Sequence, residues 1–161
     1  AVQMMNRIAI EVENDPGYDD LVHAMATVPQ PTGADAIAAA VHKIARTLKL
    51  SAIICYTATG STALRVARER PGLPVIGLTP VLATGRKLSL VWGIHSVLTS
   101  DPANLADMVR KACRIAFEEK FAGAGDGVII TAGVPLGTPG TTNMVRMAYL
   151  DENGAPLADQ G

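Results

Sequence analysis

The sequence predicts an α/β fold, in which an open and mostly parallel five-stranded sheet is covered by helices. Apolar residues make up 48% of the chain but aromatic residues only 4%, so the core is expected to consist of Ala, Val, Ile and Leu. Short apolar runs alternate three times with segments of helical spacing and end in a further apolar run. This alternation favours parallel strands joined by right-handed crossovers. A length of 161 residues suits one domain with a real core.

Two helices are predicted before the first strand. An apolar stripe at intervals of three and four residues predicts a helix within residues 1–16. Residues 17–32 contain two prolines and are predicted to be a connector with at most one short helix. Thr32 and Asp35 resemble a capping box, and the spacing after them predicts a helix from about 33 to 48.

The rest of the chain is predicted as strands separated by helices or a loop. Parallel strands are expected at 52–56, 75–79, 94–98 and 127–131. Helical spacing covers 84–90, and a further helix is expected to begin with Asp101 as its cap and to reach about 121. A fifth strand at 144–150 should be antiparallel, because only a loop connects it to the fourth. Residues 151–161 are expected to form a flexible tail.

A hydroxyl-rich turn follows the first strand and leads into a helix. The residues that could contact a ligand there are Thr57, Thr59, Gly60, Ser61 and Thr62. The first N–H groups of a helix lack partners and carry partial positive charge, so a phosphate at this position would meet amides and hydroxyls together. The turn is therefore a candidate anion site.

A structural interpretation of the same turn remains open. Ser and Thr are common helix caps, and Gly is common in turns between a strand and a helix. The turn has neither the phosphate-binding G-x-x-x-x-G-K-[ST] pattern nor the dinucleotide G-x-G-x-x-G pattern. The residues alone favour a helix cap and a ligand site equally.

A second segment of interest is the Gly- and Pro-rich stretch 132–143, between the fourth and fifth strands. Ligands of open α/β sheets bind outside the carboxyl ends of the strands, near the point where strand order reverses. If the first and fourth strands are neighbours, this stretch and the hydroxyl-rich turn face one another across one pocket.

Charge and cysteine usage exclude several classes of function. A net charge of −1 gives no electrostatic reason to expect a nucleic acid or membrane partner. Cys55 and Cys113 are expected to be buried thiols in a reducing compartment, and no residue spacing indicates a metal site. We therefore expect a soluble, cytoplasmic protein without a cofactor of its own.

The polar residues suggest two further functions, a hydrolase triad and a second contact to a charged ligand, with less support than the anion site. His23, His42 and His95 are scattered, and Ser61 lacks the G-x-S-x-G elbow, so a hydrolase triad is not supported. Basic residues cluster around the first two strand-helix units, where they either form a solvated face or reach a second charge on a ligand. They are Arg65, Arg68, Arg70, Arg86 and Lys87.

Six motifs follow one another along the chain. They are 57–63 (TATGSTA), 67–71 (ARERP), 74–80 (PVIGLTP), 90–93 (LVWG), 125–126 (GD) and 131–143 (TAGVPLGTPGTTN). This ordered set resembles the C-terminal domain of bacterial pyruvate kinase over about residues 1–150. Each motif is weak alone, but the six in this order are specific. The opening residues, with Val2, Met5 and Ile8, resemble the helix that leaves the catalytic barrel of that enzyme.

The resemblance implies a three-layer α/β/α domain that acts in allosteric regulation and in assembly of a homotetramer. Residues 1–16 would then be the helix leaving the barrel, 17–32 a connector, 33–150 the effector-binding and assembly domain, and 151–161 a tail. It further implies that phosphoryl transfer from phosphoenolpyruvate to ADP takes place on a separate (β/α)8 barrel with magnesium and potassium. This chain is too short to add such a barrel to the domain, and we expect it to be inactive alone.

The resemblance also implies a site for a phosphorylated effector. Thr57, Thr59, Gly60, Ser61 and Thr62 match the turn that holds the effector phosphate in the family. The matching residues of the closing loop are Gly137, Thr138, Gly140 and Thr141.

The two segments depart from the pattern of family members that respond to fructose 1,6-bisphosphate. Those members often carry a Lys in the first turn and Trp and Arg in the second. Here Ala58 occupies the first turn, and 132–143 contains no charged or aromatic residue. We therefore expect a monophosphate such as AMP or a sugar monophosphate rather than a bisphosphate.

Two alternatives remain at this point. The chain could be a stand-alone binding protein for phosphorylated small molecules with the same fold, or a free-standing enzyme on a Rossmann-like scaffold. The lack of a nucleotide or metal motif argues against the enzyme. A fold does not by itself determine a function.

Overall fold

The computed structural model describes residues 1–24, 28–135 and 141–157, without the side chains of Asp19 and His23. Six helices and five strands follow one another in these ranges. They are α1 (Val2–Glu13), α2 (Tyr18–Ala24), α3 (Gly33–Thr47), β1 (Ala52–Tyr56), α4 (Ser61–Arg68), β2 (Val75–Thr79), α5 (Leu82–Leu88), β3 (Ile94–Leu98), α6 (Leu105–Glu118), β4 (Gly127–Ala132) and β5 (Met144–Tyr149).

The strands form one mixed sheet in the order β3-β2-β1-β4-β5. β1 pairs in parallel with β2 and with β4, and β2 pairs in parallel with β3. β5 is antiparallel to β4. The predicted α/β fold and the antiparallel last strand are confirmed.

Both faces of the sheet are covered by helices, which gives three layers. On one face, α6 buries Met108, Ala112 and Ala116 against strand residues such as Ile54 and Ile130. The continuous apolar runs of the central strands follow from this arrangement, because successive side chains point to opposite faces and both faces are buried.

The opposite face carries α3, α4 and α5. Val41 of α3, Val66 of α4 and Leu88 of α5 pack against Ile53 and Ile129, and all five side chains are buried. Side chains of this size contribute roughly 1.5–3 kcal/mol each when fully buried. The crossovers β1-α4-β2 and β2-α5-β3 thus lie on one face, and α6 returns the chain across the other.

The start of α6 differs from the sequence prediction. Asn104 caps this helix, because its Oδ1 accepts a hydrogen bond from the Asp107 amide at 2.9 Å, so the prediction of Asp101 as the cap was wrong. The Asp107 carboxylate accepts in turn from the Ala103 amide at 3.0 Å. This pair of hydrogen bonds fixes the start of α6 at Asn104, three residues after the predicted cap Asp101.

Helix α3 begins as predicted, with Thr32 Oγ1 accepting a hydrogen bond from the Asp35 amide at 3.3 Å. The second half of the expected capping box is altered. Asp35 Oδ2 accepts from the Gln30 amide at 3.0 Å instead of bonding to the cap residue itself. The carboxylate therefore joins the connector to the start of α3.

Helix α1 lies at the margin of the molecule, and none of its residues is buried. Its last residue, Glu13, accepts a hydrogen bond from the indole nitrogen of Trp92 at 2.6 Å. The guanidinium of Arg70 lies 4.0 Å from the centre of the Trp92 ring on the same part of the surface. One edge of the domain is thus linked to α1 through a tryptophan.

The segment after β5 turns back on the sheet. Leu150 forms an antiparallel bridge with Pro156, and the Leu157 amide donates to the Tyr149 carbonyl at 2.8 Å. Gly154 packs so closely on Phe117 that a Cβ at this glycine would overlap the ring. Residues 151–157 of the predicted tail therefore form a hydrogen-bonded turn, and 158–161 lie outside the described residues.

In the described ranges, no helix is both long and apolar enough to cross a lipid bilayer.

Candidate functional site

The strand order places the two predicted segments at the same edge of the sheet. The chain runs outward from β1 to β2 and β3, and then returns to place β4 on the other side of β1. The order in which strands are added to the sheet therefore reverses between the parallel neighbours β1 and β4. Open α/β sheets bind ligands at such a point. The turn after β1 and the segment after β4 both begin at the carboxyl ends of these two strands.

The turn after β1 is built around a glycine in the left-handed region. Gly60 has φ 90°, a conformation that glycine adopts without strain. Its amide donates a hydrogen bond to Thr57 Oγ1 at 2.8 Å. The Thr57 amide donates to the Leu78 carbonyl at 2.9 Å and extends the pairing with β2. Thr57 therefore holds the turn in shape, and its buried hydroxyl faces the backbone.

The N-terminus of α4 carries no side-chain cap in the described part of the chain. Gly60 occupies the cap position and has no side chain to accept from the first amides, and the first turn holds no acidic residue. The Ser61 amide lies 3.4 Å from Thr59 Oγ1, a long hydrogen bond. The partial positive charge of the helix start is thus left without an anionic side chain of its own.

The four predicted hydroxyls fall into two pairs with different environments. Thr59 is exposed and Ser61 is half-buried, and their hydroxyl oxygens are 3.2 Å apart. Thr57 and Thr62 are buried and bonded within the protein. Thr59 and Ser61 are therefore the hydroxyls that are open to a ligand.

A further, partly buried hydrogen bond supports the turn from the neighbouring strand-helix unit. Thr84 of α5 donates its hydroxyl to the Ala58 carbonyl at 2.8 Å. Thr84 and Leu88 also lie within van der Waals distance of the position that a side chain on Gly60 would occupy. The sequence analysis did not identify Thr84, because its contact spans 26 residues and depends on how α5 packs.

The segment after β4 is described at 133–135 and 141–143, which we call the arm pair. A Cβ on Gly133 would overlap the carbonyl oxygen of Thr141, so the two arms touch backbone to backbone. Asn143 bonds both backbone groups of Val134, accepting from its N–H at 2.7 Å and donating to its C=O at 2.6 Å. Of the residues predicted here, Thr141 lies in the arm pair, whereas Gly137, Thr138 and Gly140 lie outside the described residues.

A hydrogen bond between side chains joins the arm pair to α4. Thr142 Oγ1 lies 2.7 Å from Thr62 Oγ1, and the two residues are 5% and 4% exposed. The sequence analysis quoted Thr142 within a motif but did not assign it to the site. Its partner lies 80 residues away, so only the tertiary structure reveals the contact.

The basic residues near the turn are mostly engaged by the protein. Arg65 Nε and Arg68 Nη2 contact the buried Asp35 carboxylate at 3.0 and 2.9 Å, and Arg70 stacks on Trp92. The hydrogen bonds from Arg68 and from the Gln30 amide hold the pKa of Asp35 below its usual range. These three arginines are therefore each in contact with a side chain of the domain, although Nη1 of Arg65 has no hydrogen-bond partner among the described residues.

Other candidate groups do not assemble into a reactive site. Burial raises the pKa of the Cys113 thiol to about 11 and also raises that of Cys55, which disfavours the nucleophilic thiolate. His42 Nδ1 lies 2.8 Å from the Glu69 carbonyl oxygen, and His95 Nε2 lies 3.0 Å from Glu119. In the ranges that the structure describes, no cluster of His, Cys, Asp and Glu side chains has the arrangement of a metal site.

Comparison with known proteins identifies one family. The family model described as "Pyruvate kinase, alpha/beta domain" matches residues 35–148, which is most of the chain from α3 to β5.

The curated proteins that resemble this chain are named pyruvate kinase. The chain is 48% identical over 158 residues to a pyruvate kinase of Methylorubrum extorquens, 35% identical over 152 residues to one of Sporosarcina psychrophila, and 34% identical over 151 residues to one of Clostridium acetobutylicum. These matches cover 98%, 94% and 94% of this chain, but only 33%, 26% and 32% of the relatives. The chain thus spans a third or less of the length of the curated relatives it matches.

Proposed function

This chain belongs to the pyruvate kinase alpha/beta domain family, and we propose that it is the regulatory and assembly part of a pyruvate kinase. The parent enzyme would transfer a phosphoryl group from phosphoenolpyruvate to ADP on a separate barrel that binds magnesium and potassium. The length of the relatives supports this proposal, since each is at least about three times as long as this chain. The two free, buried cysteines suit a parent that acts in the cytoplasm.

We further propose that the turn after β1 binds the phosphate of a small effector. The observation that carries this proposal is the uncapped start of α4 at the point where strand order reverses, with Thr59 and Ser61 open beside it. A phosphate there would accept from the first amides of α4 and from these two hydroxyls. Gly137, Thr138, Gly140 and Thr141 would complete the site from the segment after β4, as the family resemblance implies.

The charges favour a monophosphate over a bisphosphate. Ala58 supplies no cation in the turn, the arm pair contains none, and Arg65 and Arg68 are paired with Asp35. From these residues a second phosphate would therefore gain no bidentate basic partner of the kind that makes such contacts strong, which leaves the exposed Arg86 and Lys87 of α5 as the other basic candidates. AMP and sugar monophosphates are the effector classes that fit this arrangement.

We also propose that the chain takes part in a homo-oligomer. The exposed apolar side chains of α1 support this, with Val2, Met5 and Ile8 79%, 68% and 57% exposed. An unpartnered apolar stripe of this kind is typical of a helix that packs against another protein surface. Sedimentation equilibrium of the purified chain tests the proposal, and a monomer at all concentrations would contradict it.

Calorimetric titration tests the effector site directly. The purified chain is titrated with AMP, glucose 6-phosphate, ribose 5-phosphate and fructose 1,6-bisphosphate, alongside Gly60→Asp. An Asp at this position would place its own carboxylate at the start of α4 and repel the phosphate. We expect binding of a monophosphate by the natural chain and a loss of at least about tenfold in the variant, which corresponds to about 1.4 kcal/mol.

A matched control separates the site from the general effects of the substitution. Gly72 also has a positive φ of 66°, and no neighbour lies within 4 Å of the position of an added Cβ. Gly72→Asp therefore imposes a similar backbone strain and the same charge at the opposite edge of the sheet, and it should bind like the natural chain. A bisphosphate that bound tenfold tighter than any monophosphate would remove the monophosphate preference. No binding of any of the four ligands would leave the turn as a helix cap.

A further inference from the structure

The arm pair is closed at its base by contacts among its own residues. Gly133 allows the backbones at 133 and 141 to touch, and the Asn143 side chain bonds both backbone groups of Val134. The Asn143 amide donates in addition to the Ala132 carbonyl at 3.2 Å, at the end of β4. The arm pair should therefore move as one unit.

This unit contacts α4 through a pair of buried hydroxyls. Thr142 Oγ1 and Thr62 Oγ1 are 2.7 Å apart, which is the optimal distance for an O–H···O bond. Both residues are at most 5% exposed, so water has little access to replace the bond. A buried hydroxyl that loses its partner keeps the full cost of its desolvation.

Thr62 lies in the first turn of α4, beside the amides that would hold a phosphate. Because Thr142 is buried, its hydroxyl cannot itself contact a ligand in solution. A role in ligand binding must therefore act through the position of the backbone at 141–143 relative to α4.

We propose that Thr142 is a positioning residue for the phosphate site. Its hydroxyl, through Thr62, holds the arm pair against the N-terminus of α4, so that the two sides of the site are already in place when the ligand arrives. This inference rests on the proposed effector function and extends it. Without the bond, binding would have to order the arm pair against α4, and the affinity would fall by that cost.

Three substitutions test this role. Thr142→Val removes the hydroxyl and keeps the shape, and Thr142→Ser keeps the hydroxyl. Thr131→Val is the matched control, because Thr131 is fully buried in β4 and its hydroxyl has no hydrogen-bond partner among the described residues. Thr131→Val therefore removes a buried hydroxyl of the same kind without breaking a hydrogen bond to any described residue.

Two measurements decide the outcome. The first is the calorimetric affinity for AMP and for inorganic phosphate. The second, without ligand, is the hydrogen exchange of the Val134 and Asn143 amides by NMR. We expect Thr142→Val to weaken binding about three- to tenfold and to speed exchange at both amides, while Thr142→Ser and Thr131→Val stay close to the natural chain.

Several results would overturn the inference. Equal affinity in the natural chain and in Thr142→Val would do so, as would an equal loss in Thr131→Val or a failure of Ser to restore binding. If the natural chain bound neither AMP nor inorganic phosphate and also none of the sugar phosphates, the effector function itself would fail, and the role in positioning a phosphate site would fail with it. Unchanged hydrogen exchange in Thr142→Val would overturn the inference even if the natural chain bound a ligand, because the hydroxyl would then not hold the arm pair against α4.

Discussion

Helices α1 and α3 have the same kind of sequence and different surroundings. Each carries apolar residues at helical spacing, but α3 buries Ala38, Val41 and Ala45, whereas none of the residues of α1 is buried. Val41 is fully buried, and Ile8 at the centre of the α1 stripe is 57% exposed. The comparison teaches that periodicity predicts the helix and its apolar face, while the partner of that face is decided elsewhere in the structure.

The largest difference in the free energy of unfolding is expected between alanine substitutions in α3 and in α1. Val41→Ala removes two buried methyl groups from the face that packs on the sheet, and it should lower the free energy of unfolding by about 2 kcal/mol. Ile8→Ala removes more atoms, but from a position that is exposed in the single chain, so below the concentration at which chains associate it should change the free energy of unfolding by less than about 0.5 kcal/mol. Urea denaturation of both variants measures the difference. Equal losses would show that α1 is packed in solution and would break the comparison.

A smaller effect is expected from the loss of the Asp35 carboxylate in α3, and its size should depend on pH. The pKa of Asp35 in α3 is lowered from 3.8, because its carboxylate accepts hydrogen bonds from Arg68 and from the Gln30 amide. A carboxyl group whose pKa is lower in the folded chain than in the unfolded chain stabilises the fold at pH values above its pKa in the unfolded chain. This contribution is lost as the pH falls through the pKa in the folded chain. Asp35→Asn should therefore be less stable than the natural chain near neutral pH, and the gap should narrow below pH 3.8.

Thermal unfolding at several pH values measures that gap. Asp20→Asn, at an exposed position on α2, corrects for the loss of one negative charge. A gap of constant size down to the lowest pH at which the chain folds would rule out the ionised carboxylate as its source.

The smallest effect is expected at the contact between α1 and the domain. Trp92→Phe removes the indole N–H that donates a hydrogen bond to Glu13, and it keeps an aromatic ring under Arg70. The contact is exposed, so we expect a change in the free energy of unfolding below about 1 kcal/mol, with faster hydrogen exchange in the last turn of α1. A loss above about 2 kcal/mol would mean that α1 and the core unfold as one unit, which would weaken the contrast with α3.

The sequence predicted the sheet well and the starts of two helices less well. The bounds of the four parallel strands agree with the prediction to within one residue. Three of them, β1, β2 and β4, are buried on both faces and therefore have few polar residues, whereas the edge strand β3 is only partly buried. Helix α5 starts at Leu82 rather than at 84, and α6 starts after Asn104 rather than after Asp101. Before α6, both Asp101 and Asn104 are suitable cap residues, and the hydrogen bond formed in the folded chain shows that Asn104 is the cap.

The candidate site could be predicted only in part, for a similar reason. The turn from Thr57 to Thr62 stands out because its residues are neighbours in sequence. Thr84 and Thr142 brace the same turn from 26 and 80 residues away, and a threonine that faces another threonine looks like any other in sequence. The sequence also could not show that Thr57 and Thr62 are occupied by internal bonds.

The separation between buried and open hydroxyls has a consequence for how such domains diversify. Substitutions at the exposed positions Ala58 and Thr59 would alter the chemistry offered to a ligand while leaving the bonds of Thr57, Thr62 and Thr84 intact. In the proposed site, the groups that would contact a ligand and the groups that hold the turn in shape therefore belong to largely different residues of one short turn. Under the proposed function, a change from one effector to another would then need only mutations of low structural cost.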